Sequence, residues 1–321
     1  MLASDGSLQR SDNGGNSYRL LNPSPVQPTA IAALDSDRLL LIGQRGLARS
    51  VNGGESFEPV GGAATRGAVL TAADLASGMV VAYGPRTAVG SRDLGATWRR
   101  IALPRKRSVI DLDFATARVG FALDSRRMLW KTANGGRKWE RVLGLGAGDA
   151  SAIAFSGPQT GYVAIRAFGH LRGRGLVLRT TDGGRSWHPQ LVSGSPLQEV
   201  ETAGGIDYAL AGESVLYATD VGGDIGEPRT ITLRAKVRPR SRRARASALV
   251  SGRLSPAVGR EEVVLSLFVR NRWTSRIVLA ASNGTFATRW QLSGNAVLVA
   301  QVLGDADHRG AGTKPLLLRV R

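Results

Sequence analysis

One eight-residue pattern, Ser/Thr-x-Asp/Asn-x-Gly-x-x-aromatic, recurs along this chain and constrains what it can become. Its clearest copy is Thr180-Thr181-Asp182-Gly183-Gly184-Arg185-Ser186-Trp187; others begin at Ser11, Ser50, Ser91 and Thr132. A worn sixth is read at Ala218-Thr219-Asp220-Val221-Gly222. The starts at 11, 50, 91, 132, 180 and 218 are separated by 39, 41, 41, 48 and 38 residues. A near-constant period of that size marks a repeated supersecondary unit. Asn13, Asn52, Asp93, Asn134 and Asp182 can each fold back onto backbone N–H groups, while glycine accepts the positive φ of the turn. Tyr18, Phe57, Trp98, Trp139 and Trp187 close the copies, opening a strand and offering apolar surface. A catalytic acid or metal ligand has no reason to recur every forty residues and a turn does, so the boxes read as architecture.

Between boxes a four-strand pattern repeats. Val109–Phe114, Val119–Leu123, Met128–Thr132 and Lys138–Val142 read as short strands, the box being the turn before the last. Ala30–Leu34, Leu39–Ile42, Leu47–Ser50 and Ser56–Val60 scan the same way upstream. Ser151–Phe155, Tyr162–Ile165, Leu176–Thr180 and Ser186–Val192 do so downstream. Four-stranded sheets at this period are the blades of a β-propeller. With these boxes and this blade length, residues 1–233 resemble an Asp-box (bacterial neuraminidase repeat) propeller, most similar to the photosystem II stability/assembly factor-like proteins. The resemblance implies six or seven blades. Only one strand, around Ser7–Arg10, precedes the first box, so the first blade is short of its inner strands. Either sequence upstream of Met1 supplies them, the favoured expectation, or strands from residues 197–235 close the ring.

Pro228 to Ser247 marks a boundary. Residues 234–245 hold seven basic side chains and no acid, too self-repelling for a core, so 234–247 is expected as a basic linker. Beyond it Leu249–Leu254, Glu262–Arg270, Ser275–Ala280, Thr285–Leu292, Ala296–Leu303 and Pro315–Val320 alternate as longer strands, with Asn283-Gly284 as a hairpin turn. Residues 248–321 are therefore expected as a β-sandwich. Ser251–Pro256, Ala281–Phe286 and Gly304-Asp305 make them resemble the Ig-like modules appended to secreted actinobacterial proteins. The fold class is thus all-β, an Asp-box propeller followed by an Ig-like sandwich. Cysteine is absent, which excludes disulfides and thiolate metal sites. No apolar run reaches the ~18 residues of a membrane span. The residues from Met1 do not spell a signal peptide; an extracytoplasmic location, secreted or in the cell envelope, is expected with the export signal upstream.

Enzyme constellations are missing: there is no G-x-S-x-G elbow, Walker loop or H-E-x-x-H. His170, His188 and His308 stand alone, and Gly144-Leu145-Gly146-Ala147-Gly148 lacks the helix a phosphate loop requires. Asp305-Ala306-Asp307 offers a calcium ion only two carboxylates. No metal and no cofactor is expected. A sialidase would need an arginine triad, a Tyr/Glu pair and an Arg-Ile-Pro signature that this chain lacks, and a glycosidase would need paired carboxylates.

The constellation that remains is cationic. The net charge is +18, from 38 arginines and 5 lysines against 25 acids, although a GC-rich genome also produces such a bias. Five residues before the boxes at 50, 91 and 132 stand Arg45, Arg86 and Arg127, each in the turn joining the second and third strands of its blade. In the next repeat this turn lengthens to Arg166–Gly175, with Arg166, Arg172 and Arg174; connections between blades add Arg66 and Arg105-Lys106-Arg107. In a meander these segments lie opposite the boxes. Guanidinium forks bind carboxylate or phosphate in bidentate fashion, whereas simple solvation of turn arginines is the plainer reading. The expected function is non-enzymatic: an arginine-lined face that holds an acidic protein or an anionic cell-surface polymer such as a glycan. The resemblance implies the same, since photosystem factors use an arginine patch for partner proteins. Nucleic acid is disfavoured because the basic run carries no interleaved aromatics, while peripheral envelope contact through the linker is expected. The alternatives are a sialidase-like glycoside hydrolase on the propeller, betrayed by two converging carboxylates, and a structural surface adhesin.

Overall fold

The computed structural model describes all residues except Met1, Ser4, Asp5, Gln44, Ser77, 105–106, 167–172, 213–214, 240–245 and Arg321. The described residues form strands and turns without a helix, so none is long and apolar enough to cross a membrane. β1 (Gln9–Arg10) and β2 (Arg19–Leu20) make a two-stranded sheet. Four antiparallel meanders follow: β3–β6 (Pro28–Ala33, Leu39–Gly43, Gly46–Ser50, Glu58–Val60) and β7–β10 (Ala72–Ala76, Met79–Tyr83, Ala88–Ser91, Arg99–Ile101). Next come β11–β14 (Val109–Asp113, Gly120–Asp124, Leu129–Thr132, Glu140–Arg141) and β15–β18 (Ala150–Ala154, Gly161–Ile165, Gly175–Thr180, His188–Ser193). A fifth meander, β19–β21 (Leu197–Ala203, Ile206–Ala211, Val215–Thr219), has three strands. Against the six or seven blades that the resemblance implies, the described residues thus show four full four-stranded sheets, one of three strands and one of two. The second strands β8, β12 and β16 are buried along their whole length, which is why they read as unbroken apolar runs rather than alternating ones.

The chain divides into two compact units, Met1–Arg126 with Trp130–Glu140, and Arg127–Leu129 with Arg141–Arg321. In the first, side chains of successive sheets interleave. Leu40, Ile42 and Leu47 of one sheet pack with Val80, Ala82 and Val89 of the next, around Val60 and Trp98. A second cluster joins Met79, Val81 and Tyr83 to Leu112, Phe114 and Trp139.

The second unit holds β15–β21 and everything after them. β22 (Thr230–Pro239), β23 (Ala246–Ser255) and β26 (Thr285–Leu292) form one antiparallel sheet. β24 (Glu262–Val269), β25 (Arg272–Leu279), β27 (Ala296–Val302), β28 (Ala311–Gly312) and β29 (Leu316–Leu318) form another. Both line a single core containing Val250, Leu265, Leu267, Phe286, Trp290 and Leu298.

Three expectations are corrected here. Arg234, Lys236 and Arg238 do not lie in a linker: they belong to β22, which pairs with β23 from Thr230↔Ser255 to Pro239↔Ala246. Exposed basic residues alternate there with Ile231, Leu233, Ala235 and Val237, which pack on the sandwich core, so charge density alone concealed a period-two strand. Asn283-Gly284 makes a tight local turn, with the Gly284 amide bonded to the Ala281 carbonyl at 2.8 Å. It does not close a hairpin, because β25 pairs with β24 and β26 with β23. The hairpin turn lies at Arg270-Asn271, both at positive φ (48° and 67°), as a two-residue type I′ connection requires. Nor do residues 248–321 hang as a separate module. β28 packs on β18 so tightly that a methyl at Gly312 would collide with the Trp187 carbonyl oxygen, and one at Gly310 with that of Pro189. The Gln301 amide reaches the carbonyls of Leu145 (3.4 Å) and Trp187 (3.3 Å).

Candidate functional site

The five boxes share one hydrogen-bond pattern. The first Ser/Thr hydroxyl donates to the Asn or Asp side chain and accepts the amide of the residue four along. For Gly15, Gly54, Gly95, Gly136 and Gly184 that amide bond measures 2.7, 2.8, 2.6, 3.0 and 2.9 Å. The Asx oxygen then accepts the amide that opens the outgoing strand: Asn13 from Ser17 at 2.9 Å, Asn52 from Ser56 at 3.1 Å, Asp93 from Thr97 at 2.8 Å. Asn134 accepts from Lys138 at 2.9 Å and Asp182 from Ser186 at 2.8 Å. Side-chain and main-chain bonds from Thr97 hold the Asp93 carboxyl down at about 2. Four closing aromatics are buried or half-buried and Tyr18 is exposed: Trp187 is fully enclosed, with its Nε1 on Gly184 O, and Trp139 donates to Ala102 O at 2.7 Å. Trp98 packs between sheets, and its Nε1 has no hydrogen-bond partner among the described residues.

The sixth box lies one residue later than the sequence reading placed it. Thr219 Oγ1 accepts the amides of Val221 (3.2 Å) and Gly223 (3.1 Å), as the first residue of each other copy does. In this register Val221 occupies the Asn/Asp position and Gly226 the aromatic one. No side chain is there to capture the exit amide; the Ile225 amide bonds instead to Gly223 O at 2.9 Å. The chain then leaves the sheet, Glu227 bonding to Asp307 and Arg309.

The arginines divide. Arg45 lies in the β4–β5 turn and Arg86 in the β8–β9 turn, both exposed and both at the end of their sheet opposite the box. Arg66, Arg166 and Arg174 are exposed as well. Arg127, in the equivalent β12–β13 turn, is engaged otherwise: its guanidinium pairs with Asp149 at 2.9 Å and bonds Ala150 O at 3.0 Å. Arg107 is half-buried 3.9 Å from the enclosed Asp124. These two serve the scaffold. Arg105 and Arg172 lie outside the described residues.

Sequence reading missed two acidic features. Asp74 on β7 and Asp111 on β11 stand beside one another; Asp74 accepts the Phe114 amide (2.8 Å) and Asp111 the Tyr83 hydroxyl (2.9 Å). Burial, with the Asp111 charge adding to it, pushes the Asp74 carboxyl up to about 6, and burial raises the Tyr83 phenol likewise. Carboxylates in the middle of apolar strands, as in Val109-Ile110-Asp111-Leu112-Asp113, were the available signal. The second feature is regional. From Ser186 to Pro228 there is no Lys or Arg but seven acids, in a chain of net charge +18. This segment builds the three-stranded sheet, beside which lies a cavity of about 460 Å³ lined by Tyr162, Val177, Leu191, Tyr208, Ala209 and Tyr217 among others.

Other candidates resolve as structure. Asp305 accepts the amides of Asp307 and His308 and the His308 ring, and it pairs with the buried Arg229 at 3.3 Å. Among the described residues no cluster of three or more His, Asp or Glu could hold a metal ion. In the Gly144–Gly148 loop a side chain at Gly144 would strike Arg185 O, and one at Gly146 would meet Gln301 and Ser266. Those glycines permit close packing, which is a different task from cradling phosphate. His188 is half-buried, and desolvation lowers its pKa; His170 is outside the described residues.

Residues 91–222, from the third box to the sixth and under half of the chain, match the family described as Photosynthesis system II assembly factor YCF48. Among solved structures, YCF48 bound to D1 peptide aligns at 13% identity and TM-score 0.45, covering 84% of this chain and 96% of that one. YCF48 from Cyanidioschyzon merolae aligns at 15% and 0.42, covering 83% and 96%. An ancestral GH74 enzyme aligns at 13% and 0.48, covering 98% of this chain and 60% of that one. With TM-scores below 0.5, none of the three decides fold or activity. A comparison with curated proteins returns no match.

Proposed function

We propose that this chain is a non-enzymatic, extracytoplasmic binding protein that holds an acidic protein, or an anionic glycan of the cell surface, through arginines on the loops opposite its boxes. The observation that carries the reading is the placement of Arg45 and Arg86, exposed in the same turn of consecutive sheets. Arg66, in the same unit, extends the set, while Arg107 and Arg127 leave it because their charges are matched internally. The match of residues 91–222 to an assembly-factor family supports a protein partner. Resemblance of residues 245–321 to secreted Ig-like modules supports the location. A cationic rim on a rigid sheet steers an anionic partner and holds it by charge-assisted hydrogen bonds. The Asp74–Asp111 pair does not favour the hydrolase alternative, since Phe114 and Tyr83 already occupy those carboxylates.

A protein of net charge +18 will bind any polyanion to some degree, so the test must isolate the loops. Elution from immobilised polyglutamate and from heparin is measured for Arg45→Ala/Arg86→Ala and for a control pair on the sandwich, Arg253→Ala/Arg272→Ala. Both pairs remove two charges. The loop pair should elute at distinctly lower salt than the control. Equal elution of the two pairs refutes a dedicated face.

A further inference from the structure

We infer that the β21 edge and the cavity beneath it form a second docking site, of opposite sign, for an extended basic peptide segment that supplies the absent fourth strand and one large apolar side chain. The site lies wholly within the second unit.

The first observation is an open edge. β18 closes the preceding sheet as its fourth strand, but among the described residues β21 pairs with β20 alone. Its outer N–H and C=O groups are a template for strand addition. Leu216, on this strand, and Val221 and Ile225, just after it, are 62%, 62% and 73% exposed.

The second observation identifies what is absent. In the second four-stranded sheet Trp98 opens the fourth strand. It packs against Leu40, Leu47 and Val60 of the preceding sheet and against Ala73, Ala82 and Val89 of its own. The equivalent neighbours at the three-stranded sheet are Tyr162, Val177 and Leu191 on one side and Val200, Ala209 and Tyr217 on the other, all present and all lining the cavity. The aromatic is missing, because Gly226 stands at its position in the box register. The cavity is the space that an indole and its strand fill elsewhere. At about 460 Å³ it is within the range of about 300–1,000 Å³ typical of ligand sites.

Charge selects the occupant. No Lys or Arg occurs from 186 to 228, against seven acids. Asp207 lines the cavity, accepting the Tyr162 hydroxyl at 2.6 Å, and Asp220 is exposed just past β21; Asp305 lines it too but is matched by Arg229 and the His308 ring. Arg309 also lines it but is matched, 3.5 Å from Asp224 and bonded to Gly226 O. The complement is a basic strand with an apolar anchor. The edge strand β22 of a second copy is basic, yet its apolar residues Ile231 and Leu233 are committed to its own core, so it cannot fill the cavity.

The test uses the full chain and a fluorescent synthetic peptide copying Gly95–Leu103, which carries Trp98, Arg99 and Arg100 and is itself a fourth strand. Titration followed by anisotropy should show saturable binding, with amide hydrogen exchange slowed at Val215–Thr219. A peptide with Trp98→Ala should bind at least about tenfold more weakly, the usual loss for an anchor residue, and one with Arg99→Glu/Arg100→Glu should weaken comparably. In the protein, Ala209→Trp fills the cavity and should abolish binding. Leu216→Lys, at an exposed position on β21, should weaken it if the first variant does not fold. The inference is overturned by the absence of saturable binding or of slowed exchange at β21. It is equally overturned by an acidic peptide binding as well as the basic one, by Leu216→Lys binding as the parent does, or by a concentration-dependent dimer that excludes the peptide. None of these outcomes bears on the Arg45/Arg86 comparison, so the two proposals fail separately.

Discussion

Asp182→Ala tests whether the boxes act as local architecture. The change removes three bonds: from the Ser186 amide (2.8 Å), from the Ser186 hydroxyl (2.8 Å) and from the Thr180 hydroxyl (3.0 Å). Hydrogen bonds to a charged group contribute about 1.5–3 kcal/mol each, without adding fully. Ser186 is buried, so its stranded donors cannot turn to water, and a loss of about 3 kcal/mol is expected. At Asn13 the same pattern is exposed; water replaces the lost bonds, and Asn13→Ala should cost about 1 kcal/mol or less. Asp182→Asn should be nearly neutral, because Asn52 makes the equivalent contacts with its Nδ2 on Ser56 Oγ at 2.8 Å. Urea unfolding followed by the fluorescence of the enclosed Trp187 reads the Asp182 variants, and circular dichroism reads Asn13→Ala. A pH series adds a second check. Burial pushes the Asp182 carboxyl up, but the Ser186 bonds outweigh it and hold it below 3.8. With the folded value below the unfolded one, this stabilisation is complete above about pH 4 and is lost as pH falls through the folded value. Asp182→Asn should lack that acid limb. Equal losses for Asp182→Ala and Asn13→Ala would refute the reasoning, since burial would then have no effect on the worth of a box.

Asp74 titrates the other way. Its folded pKa of about 6 lies above the unfolded 3.8, so its contribution is most favourable below pH 4 and declines as pH rises through 6, by on the order of 2–3 kcal/mol. Asp74→Asn should therefore stabilise the protein at pH 8 and leave it unchanged at pH 4; parallel pH–stability curves for the two proteins would contradict this. Arg127→Ala should lower stability by about 1 kcal/mol through loss of the Asp149 and Ala150 bonds, without shifting elution from polyglutamate. Gly312→Ala drives a methyl into the Trp187 carbonyl and should cost about 2 kcal/mol, visible as a lower melting temperature; no shift would mean that β28 does not press on β18 in solution.

The four-stranded sheets were legible because three independent signals coincide in them: the box, the apolar run of the second strand, and the period. Strand limits then fell within a residue or two, as for Val109–Asp113 and Gly175–Thr180. Legibility failed where one signal spoke alone. Charge density made a linker of β22, although Ile231, Leu233, Ala235 and Val237 alternated inside it. Asn-Gly made a hairpin of 283–284, where tertiary pairing took the two strands into different sheets. Spacing gave Arg127 the role of Arg45 and Arg86, but Asp149, distant by 22 residues, captures it. No local pattern announces a partner so far along the chain. The acidic pair Asp74–Asp111 is separated by 37 residues and was hidden for the same reason.

The sixth box explains why the repeat ends where it does. In the five complete copies an Asx oxygen captures the amide six residues past the first Ser/Thr, and the aromatic that follows it leads into the outgoing strand. Val221 cannot accept a hydrogen bond and Gly226 has nothing to bury, so both instructions are lost in the same copy. The hydroxyl of Thr219 still folds the first half of the turn. The exit is then free to be redirected, and Glu227 pairs with the 305–309 loop instead of with β21. One pair of residues therefore has three consequences: it ends the meander, it sends the chain to the 305–309 loop of the sandwich, and it leaves an apolar cavity beside a strand with one open edge. In a chain otherwise rich in arginine, the same stretch has lost every basic residue. Decay of a box accounts for the missing strand but gives no reason for that reversal of charge; a cationic strand docked on β21 accounts for both.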